Sequence, residues 1–322
     1  MNMEQRRAAG SIRKVVFVVT SEGADRFSAM TRIAAMSARL SNPGVTLVAA
    51  SDQDTHAALR EAGHPLPEEF DEWIVVETPA GSPAFRNRFV KTSLRSAIDG
   101  PFLYLDNDVL VRGDLGELFH LDVDLAGVAN HALDPRAISR VDRHALESMG
   151  WEPRPDVYIN GGVMFFNDSP ATRRFCAEWH RRWLRSSSEL SLHQDQPALN
   201  STLYDLQPRL SILPTRFNAQ FRATIGVIPG ATIWHYYSSM KKPPDTRFEL
   251  LTDELVRGSE LETRTVLAMI RSTHPWRRAT PLDDLAAARI LAHGRFDGWA
   301  GRWLRRAIVP GVRRRLAKIV GR

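Results

Sequence analysis

The chain has 322 residues, of which 43% are hydrophobic and one is a cysteine, and its formal net charge is +6. This composition excludes disulfide-rich, collagen-like and disordered classes, and the length suffices for one large α/β domain with an appendage. The single cysteine, Cys176, also excludes an intramolecular disulfide and any site built from several cysteines. The sequence therefore predicts a globular chain of the size that is typical of enzymes.

Apolar, β-branched segments alternate with helical patterns through the first third of the chain. Strands are predicted at Lys14–Thr20, Val45–Ala50, Trp73–Val76 and Phe102–Leu105, with helices ending near Leu40 and covering Phe89–Ile98. This alternation predicts an α/β fold with a mainly parallel sheet and helices on both faces. Because ligands of such sheets bind beyond the carboxyl ends of the strands, Thr20, Asp52 and, above all, the residues after Leu105 become candidates.

A pair of carboxylates, Asp106 and Asp108, interrupts the apolar segment FLYLDNDVLV. In an extended strand, residues two apart point the same way, so both carboxylates could bind one divalent cation that bridges a diphosphate. A chance pair in a solvated turn is the alternative. It is disfavoured because the apolar run resumes at Val109, and burying two like charges without a cation is costly.

From this pair onward the sequence resembles glycosyltransferase family 8 and related GT-A transferases of nucleotide-diphospho-sugars. The matching phrases continue in order through GDLGELF (113–119), LAGVAN (125–130), YINGGVMFFN (158–167), DQPALN (195–200), LPTRFN (213–218) and IWHYYSSMKKP (233–243). The resemblance covers about residues 12–245 and implies a Rossmann-like GT-A domain there. A helical C-terminal extension is expected over 246–294, followed by a basic amphipathic tail over 295–322.

The resemblance implies a metal site formed by Asp106, Asp108 and His235, with Asp106 also near the donor ribose. An imidazole added to carboxylates favours Mn²⁺, with Mg²⁺ as the alternative. The other interpretation of His235 is a hydrogen-bonded histidine at a strand end.

Donor binding is predicted for residues from several of these segments. The predicted donor-binding residues are Thr20, Arg88, Lys91, Asp106, Asn107, Asn160, Gly161, Gly162 and Lys241. Arg88 and Lys91 are equally compatible with solvated helix charges, and the two adjacent glycines with a plain turn. Ser238 replaces a glycine of the family, and the proline follows Lys242, so either Lys241 or Lys242 contacts the diphosphate.

The resemblance assigns Asp195 and Gln196 to catalysis, with Gln196 near the anomeric carbon of the transferred sugar. The alternative for Asp195 is a helix N-cap. Family 8 enzymes retain the anomeric configuration, and retention through a covalent intermediate requires a carboxylate nucleophile. Because the sequence offers no convincing one, we expect a front-face mechanism in which the donor diphosphate helps to deprotonate the acceptor.

Positive charge is concentrated in the tail. Residues 295–322 contain nine basic residues and one acid, a net charge of +8, which leaves residues 1–294 at −2. Trp299 and Trp303 beside arginines predict an interfacial membrane anchor, with a terminal helix packed on the body as the alternative and a nucleic-acid arm disfavoured. The absence of a signal-peptide pattern and of a spanning segment predicts a cytoplasmic protein at the inner face of the plasma membrane.

Together these features predict a metal-dependent retaining glycosyltransferase. The expected donor is a UDP-sugar, and the expected acceptor is a lipid-linked or cell-envelope glycan, with no nucleic-acid partner. Two alternatives stay open: a metal-dependent nucleotidyltransferase, and a catalytically inactive binding protein of the GT-A fold.

Overall fold

The computed structural model describes residues 13–130, 134, 136–223, 225–237 and 244–277. Its strands are β1 (Lys14–Val19), β2 (Thr46–Asp52), β3 (Glu72–Val76), β4 (Phe102–Leu105), β5 (Val109–Val111), β6 (Leu125–Ala129), β7 (Ile159–Phe166), β8 (Leu210–Leu213) and β9 (Ile233–His235). Its helices are α1 (Arg26–Ser41), α2 (Gln53–Glu61), α3 (Pro83–Ala97), α4 (Arg140–Met149), α5 (Pro170–Leu190), α6 (Gln196–Leu206), α7 (Arg247–Val256) and α8 (Thr263–Ile270).

One sheet organises the molecule, with strand order β3-β2-β1-β4-β7-β6-β8. All its pairs are parallel except those of β7, which runs antiparallel to β4 and β6. The predicted mainly parallel α/β sheet is therefore confirmed. The hydrophobic pattern of the sequence underestimated the length of two elements. Strand β2 extends to Asp52 rather than ending at Ala50, and α3 begins at Pro83 rather than at Phe89.

Burial on both faces explains the continuous apolar runs of the strands. In β1, Val15, Phe17 and Val19 pack into one core cluster, whereas Val16 and Val18 pack into another on the opposite face. This alternation is the period of two expected for a strand covered on both sides. The second cluster contains Cys176, whose thiol pKa burial raises to about 12, so this cysteine is a core residue.

The strand directions bring three chain segments to one edge of the sheet. The parallel strands β1 and β4 end there at Val19 and Leu105, and the antiparallel β7 begins there. The backbone N–H of Asp106 donates to the carbonyl of Gly162 at 2.8 Å. A separate two-stranded sheet, β5 with β9, pairs Val109 with His235 and so brings the histidine to the same place.

Helices α7 and α8 pack against α1 through a third core cluster, which includes Met30, Ile33, Phe248 and Val266. Thr246 begins α7 with a capping box to Glu249, an arrangement that satisfies free N–H groups at the helix start. The division of the chain at residue 245 stays a prediction. No helix in the described ranges is long and apolar enough to cross a membrane.

Candidate active site

Asp106, Asp108 and His235 come together at the carboxyl edge of the sheet. One ligand atom from each residue lies within 4.8 Å of the others. The Nε2 atom of His235 is 3.2 Å from Oδ1 of Asp108 and 3.9 Å from Oδ2 of Asp106. Two carboxylates and an imidazole facing one point form the nitrogen and oxygen donor set that Mn²⁺ accepts, so these residues fit a divalent cation.

Hydrogen bonds behind His235 determine which of its nitrogens faces this point. Nδ1 lies 2.7 Å from Oδ1 of Asn218, whose amide nitrogen donates to Oδ1 of Asn160 at 2.8 Å. Because Oδ1 of Asn218 can only accept, Nδ1 of His235 carries a proton, and Nε2 is the nitrogen that faces the carboxylates. A backing hydrogen bond of this kind is common behind metal-ligating histidines.

The protonation of this cluster follows from its neighbours. Burial opposes the charged form of His235, but the carboxylates of Asp108 and Asp106 outweigh it and raise the pKa of the imidazole. Burial also opposes the charge on Asp106. There the cations of Lys91, His235 and Arg88 prevail and lower the pKa of the carboxyl, so Asp106 is ionised at neutral pH.

A buried cation connects the metal-site carboxylate to the predicted catalytic carboxylate. Lys91 is 3% exposed, and its Nζ lies 3.2 Å from Oδ1 of Asp106 and 3.1 Å from Oδ2 of Asp195. Arg88 Nε lies 3.1 Å from the other oxygen of Asp195. Lys91 is therefore buried and paired rather than a solvated helix charge. Asp195 precedes α6, but within the described residues its side chain makes no capping hydrogen bond.

The segment Asn160-Gly161-Gly162 lies inside the beginning of β7 and approaches the cluster closely. A Cβ added at Gly162 would lie 2.6 Å from Cε1 of His235 and 2.8 Å from Oδ2 of Asp106. Only glycine fits there without displacing these side chains. The side-chain oxygen of Gln196 accepts from the Asn160 amide at 2.9 Å and from Gly161 N at 3.3 Å.

A cleft of about 550 Å³ opens beside the cluster. Its lining residues are Thr20, Phe27, Met30, Pro83, Ala84, Asn87, Arg88, Tyr104, Asp106, Asn107, Asp108, His193 and Gln194. The hydroxyl of Thr20 is buried without a hydrogen-bond partner among the described residues. The structure thus places Thr20, Arg88, Asp106 and Asn107 around one cavity. Lys241, Lys242 and the tail 295–322 lie outside the described residues.

Three polar residues of the site were not singled out from the sequence. Tyr104 donates its hydroxyl to Oδ1 of Asp106 at 2.5 Å, and its position two residues earlier on the same strand face was a usable signal. Asn218 ends one of the matching phrases, although no role was assigned to it. Asp142 accepts from Gln196 Nε2 at 3.2 Å, and no local pattern indicates this contact across 54 residues.

Comparisons with known proteins agree with this geometry. Residues 101–243 match the family model described as Glycosyl transferase family 8. The galactosyltransferase LgtC, in complex with donor and acceptor sugar analogues, is similar at 20% identity and a TM-score of 0.50, over 77% of this chain and 98% of LgtC. An active-site glutamine-to-glutamate mutant of LgtC is similar at 18% identity and a TM-score of 0.53, over 79% of this chain and 100% of the mutant's chain.

GlyE from Streptococcus pneumoniae TIGR4 is similar at 18% identity and a TM-score of 0.52, over 83% of this chain and 66% of GlyE. No curated protein matches the chain. The seven-stranded sheet, with the site at its carboxyl edge, shares the GT-A fold of these solved structures. Within that fold, residues 101–243 form the segment that is similar to glycosyl transferase family 8.

Proposed function

We propose that the chain transfers a sugar from a nucleotide-diphosphate donor, with UDP-sugars as the expected donors, and that it requires a divalent cation, expected to be Mn²⁺. The observation that carries this proposal is the convergence of Asp106, Asp108 and His235 beside a cleft of about 550 Å³. The complex of LgtC with donor and acceptor sugar analogues supports the same kind of donor and a glycan acceptor.

In this proposal, Asp106, Asp108 and His235 would hold the cation. When bound, the cation supplies positive charge to the diphosphate of the donor as it leaves. The hydrogen bond from Nδ1 of His235 to Oδ1 of Asn218 orients the ring, so that Nε2 could bind the cation once it has lost its proton. Thr20 and Asn107 line the donor cleft, and the hydroxyl of Thr20, which has no hydrogen-bond partner among the described residues, is available to a donor group.

Asp195 and Gln196 are proposed to contact the transferred sugar. Each oxygen of Asp195 is already paired, one with Arg88 and the other with Lys91, both at 3.1 Å. Two cations on one carboxylate reduce its nucleophilicity, so Asp195 suits a ligand of sugar hydroxyls better than the nucleophile of a covalent intermediate. This pairing favours a front-face reaction with retention, in which a donor phosphate oxygen accepts the acceptor proton.

The proposal is tested with a panel of labelled UDP- and GDP-sugars incubated with Mn²⁺, Mg²⁺ or EDTA. We expect release of nucleoside diphosphate from at least one donor with Mn²⁺, a lower rate with Mg²⁺ and none with EDTA. Asp108→Ala should abolish both this release and Mn²⁺ binding, since it removes one of three ligands. The matched control is Asp114→Ala, at an acidic residue whose Oδ1 accepts a hydrogen bond from Gly116 outside the cluster.

Two results would contradict the proposal. If nucleoside triphosphates give pyrophosphate while no sugar nucleotide reacts, the chain is a nucleotidyltransferase. If Mn²⁺ and UDP raise the melting temperature together but no donor turns over with any acceptor, the chain is a binding protein of this fold.

The acceptor is proposed to be a lipid-linked or cell-envelope glycan, reached from the inner face of the plasma membrane. Support comes from the sequence of residues 295–322, where nine basic residues accompany Trp299 and Trp303. Truncation after His293 should abolish sedimentation with anionic phosphatidylglycerol liposomes at low salt, while phosphatidylcholine liposomes serve as control. Unchanged sedimentation of the truncated chain would refute the anchor.

A further inference from the structure

A chain of hydrogen bonds joins His235 of the metal site to the buried carboxylate of Asp142 on α4. It runs from His235 through Asn218, Asn160 and Gln196 to Asp142. Three of the five members carry side-chain amides, and an amide can be rotated so that its oxygen and nitrogen exchange places. The direction of this chain therefore decides which atoms each amide presents to the cleft.

Two backbone donors fix that direction. Gly162 N donates to Oδ1 of Asn160 at 2.9 Å, so the amide nitrogen of Asn160 must face the other way, towards Gln196. Gly161 N lies 3.3 Å from Oε1 of Gln196, so this atom is the oxygen and not the nitrogen. The Nε2 group of Gln196 must then find an acceptor on the opposite side.

Asp142 supplies that acceptor. Its Oδ2 lies 3.2 Å from Nε2 of Gln196, and within the described residues no other hydrogen-bond acceptor contacts this nitrogen. Asp142 is 4% exposed, and Ser139 accepts a hydrogen bond from its backbone N–H at the start of α4. A buried carboxylate held by a helix start has little freedom to turn away from Gln196. A buried N–H without an acceptor would be costly, so the reversed amide is disfavoured.

We propose that Asp142 is a positioning residue that locks the side-chain amide of Gln196 with its oxygen towards Asn160 and the sugar side of the cleft. This inference rests on the proposed function, in which Gln196 contacts the transferred sugar. Without Asp142, the amide could rotate by 180° and present two N–H donors where an oxygen is needed. Asn160 would then face a donor instead of an acceptor, and the bond between them would be lost.

Two substitutions separate positioning from direct participation. Asp142→Asn keeps an oxygen that can accept from Gln196, whereas Asp142→Leu removes the acceptor but keeps the branching at Cγ. For Asp142→Leu we expect kcat to fall about 10- to 100-fold, the scale of a misplaced reacting group, with KM for the donor nearly unchanged. Asp142→Asn should restore most of kcat. Equal losses in both variants would overturn positioning in favour of a role in the chemistry itself.

A measurement that needs no turnover tests the same contact. In protein labelled with ¹⁵N-glutamine, the side-chain amide of Gln196 is identified by its absence in Gln196→Glu. Its protons should exchange slowly with solvent in the wild type and in Asp142→Asn, and rapidly in Asp142→Leu. Rapid exchange in the wild type would overturn the inference even if Asp142→Leu failed to fold. An inactive wild type would refute the proposed function, while the exchange rates would still decide whether Asp142 holds the amide.

Discussion

Gly162→Ala is the substitution that most directly challenges the packing of the metal site. Its Cβ would lie 2.6 Å from Cε1 of His235, 2.8 Å from Oδ2 of Asp106 and 2.9 Å from Oδ1 of Asn160. Carbon atoms pack at about 3.5–4.0 Å, so the imidazole must retreat by about 1 Å. Metal–ligand distances tolerate only about 0.2 Å, so the site cannot absorb such a shift.

We expect Gly162→Ala to lose at least about 10- to 100-fold in Mn²⁺ affinity, since even changes behind the ligands have effects of that size. Overpacking costs about 1–3 kcal/mol, so the fold should survive in weakened form. Isothermal titration with Mn²⁺ measures the affinity, and chemical denaturation measures the stability. Gly113→Ala is the matched control, because its Cβ would make an ordinary 3.4 Å contact with Thr232. Wild-type Mn²⁺ affinity in Gly162→Ala would refute the proposed ligand set.

Two further predictions concern the charges of the site. Burial lowers the pKa of His235, but Asp108 and Asp106 outweigh it and raise the pKa above 6.5. In protein treated with EDTA, protonated His235 therefore increases the free energy of unfolding, and this contribution is fully present below about pH 6.5. It is lost as the pH rises through the pKa that His235 has in the folded protein. Thermal melts of wild type against His235→Asn should show that loss, whereas stabilisation by Mn²⁺ should grow with pH, because the metal needs the neutral imidazole. Lys91→Met leaves the Asp106 and Asp195 carboxylates without their shared cation and should cost about 3–5 kcal/mol in urea denaturation. Adding Asp195→Asn should recover part of that loss, and full stability in the single mutant would contradict the pairing.

Local patterns were sufficient to place the first part of the site. The apolar strand before Asp106 and the period of two identified both carboxylates, and the rule for parallel sheets placed Thr20 beside them. The order of short motifs then added His235, which no local pattern would have connected to residues about 130 positions earlier. These expectations agree with the observed positions because strand direction brings Thr20 and Asp106 to one edge, and the pairing of β5 with β9 adds His235.

The supporting contacts were beyond the reach of the sequence because they depend on long-range packing. The cap interpretation of Asp195 was plausible from the helix that follows it, yet its carboxylate turns to Lys91 and Arg88 on α3 instead. The contact between Asp142 and Gln196 joins two helix starts whose relative position follows only from the folded structure. Periodicity identifies buried faces, but it does not identify which polar groups meet across them.

The central claim is that Asp106, Asp108 and His235 bind one divalent cation that shares the donor diphosphate. Crystals grown with Mn²⁺ and UDP, measured at the manganese absorption edge, test it directly. We predict one anomalous peak within about 2.0–2.3 Å of His235 Nε2 and of oxygens from both aspartates and the diphosphate. UDP bound in the cleft without such a peak, and with His235 still hydrogen-bonded to Asp108, would contradict it.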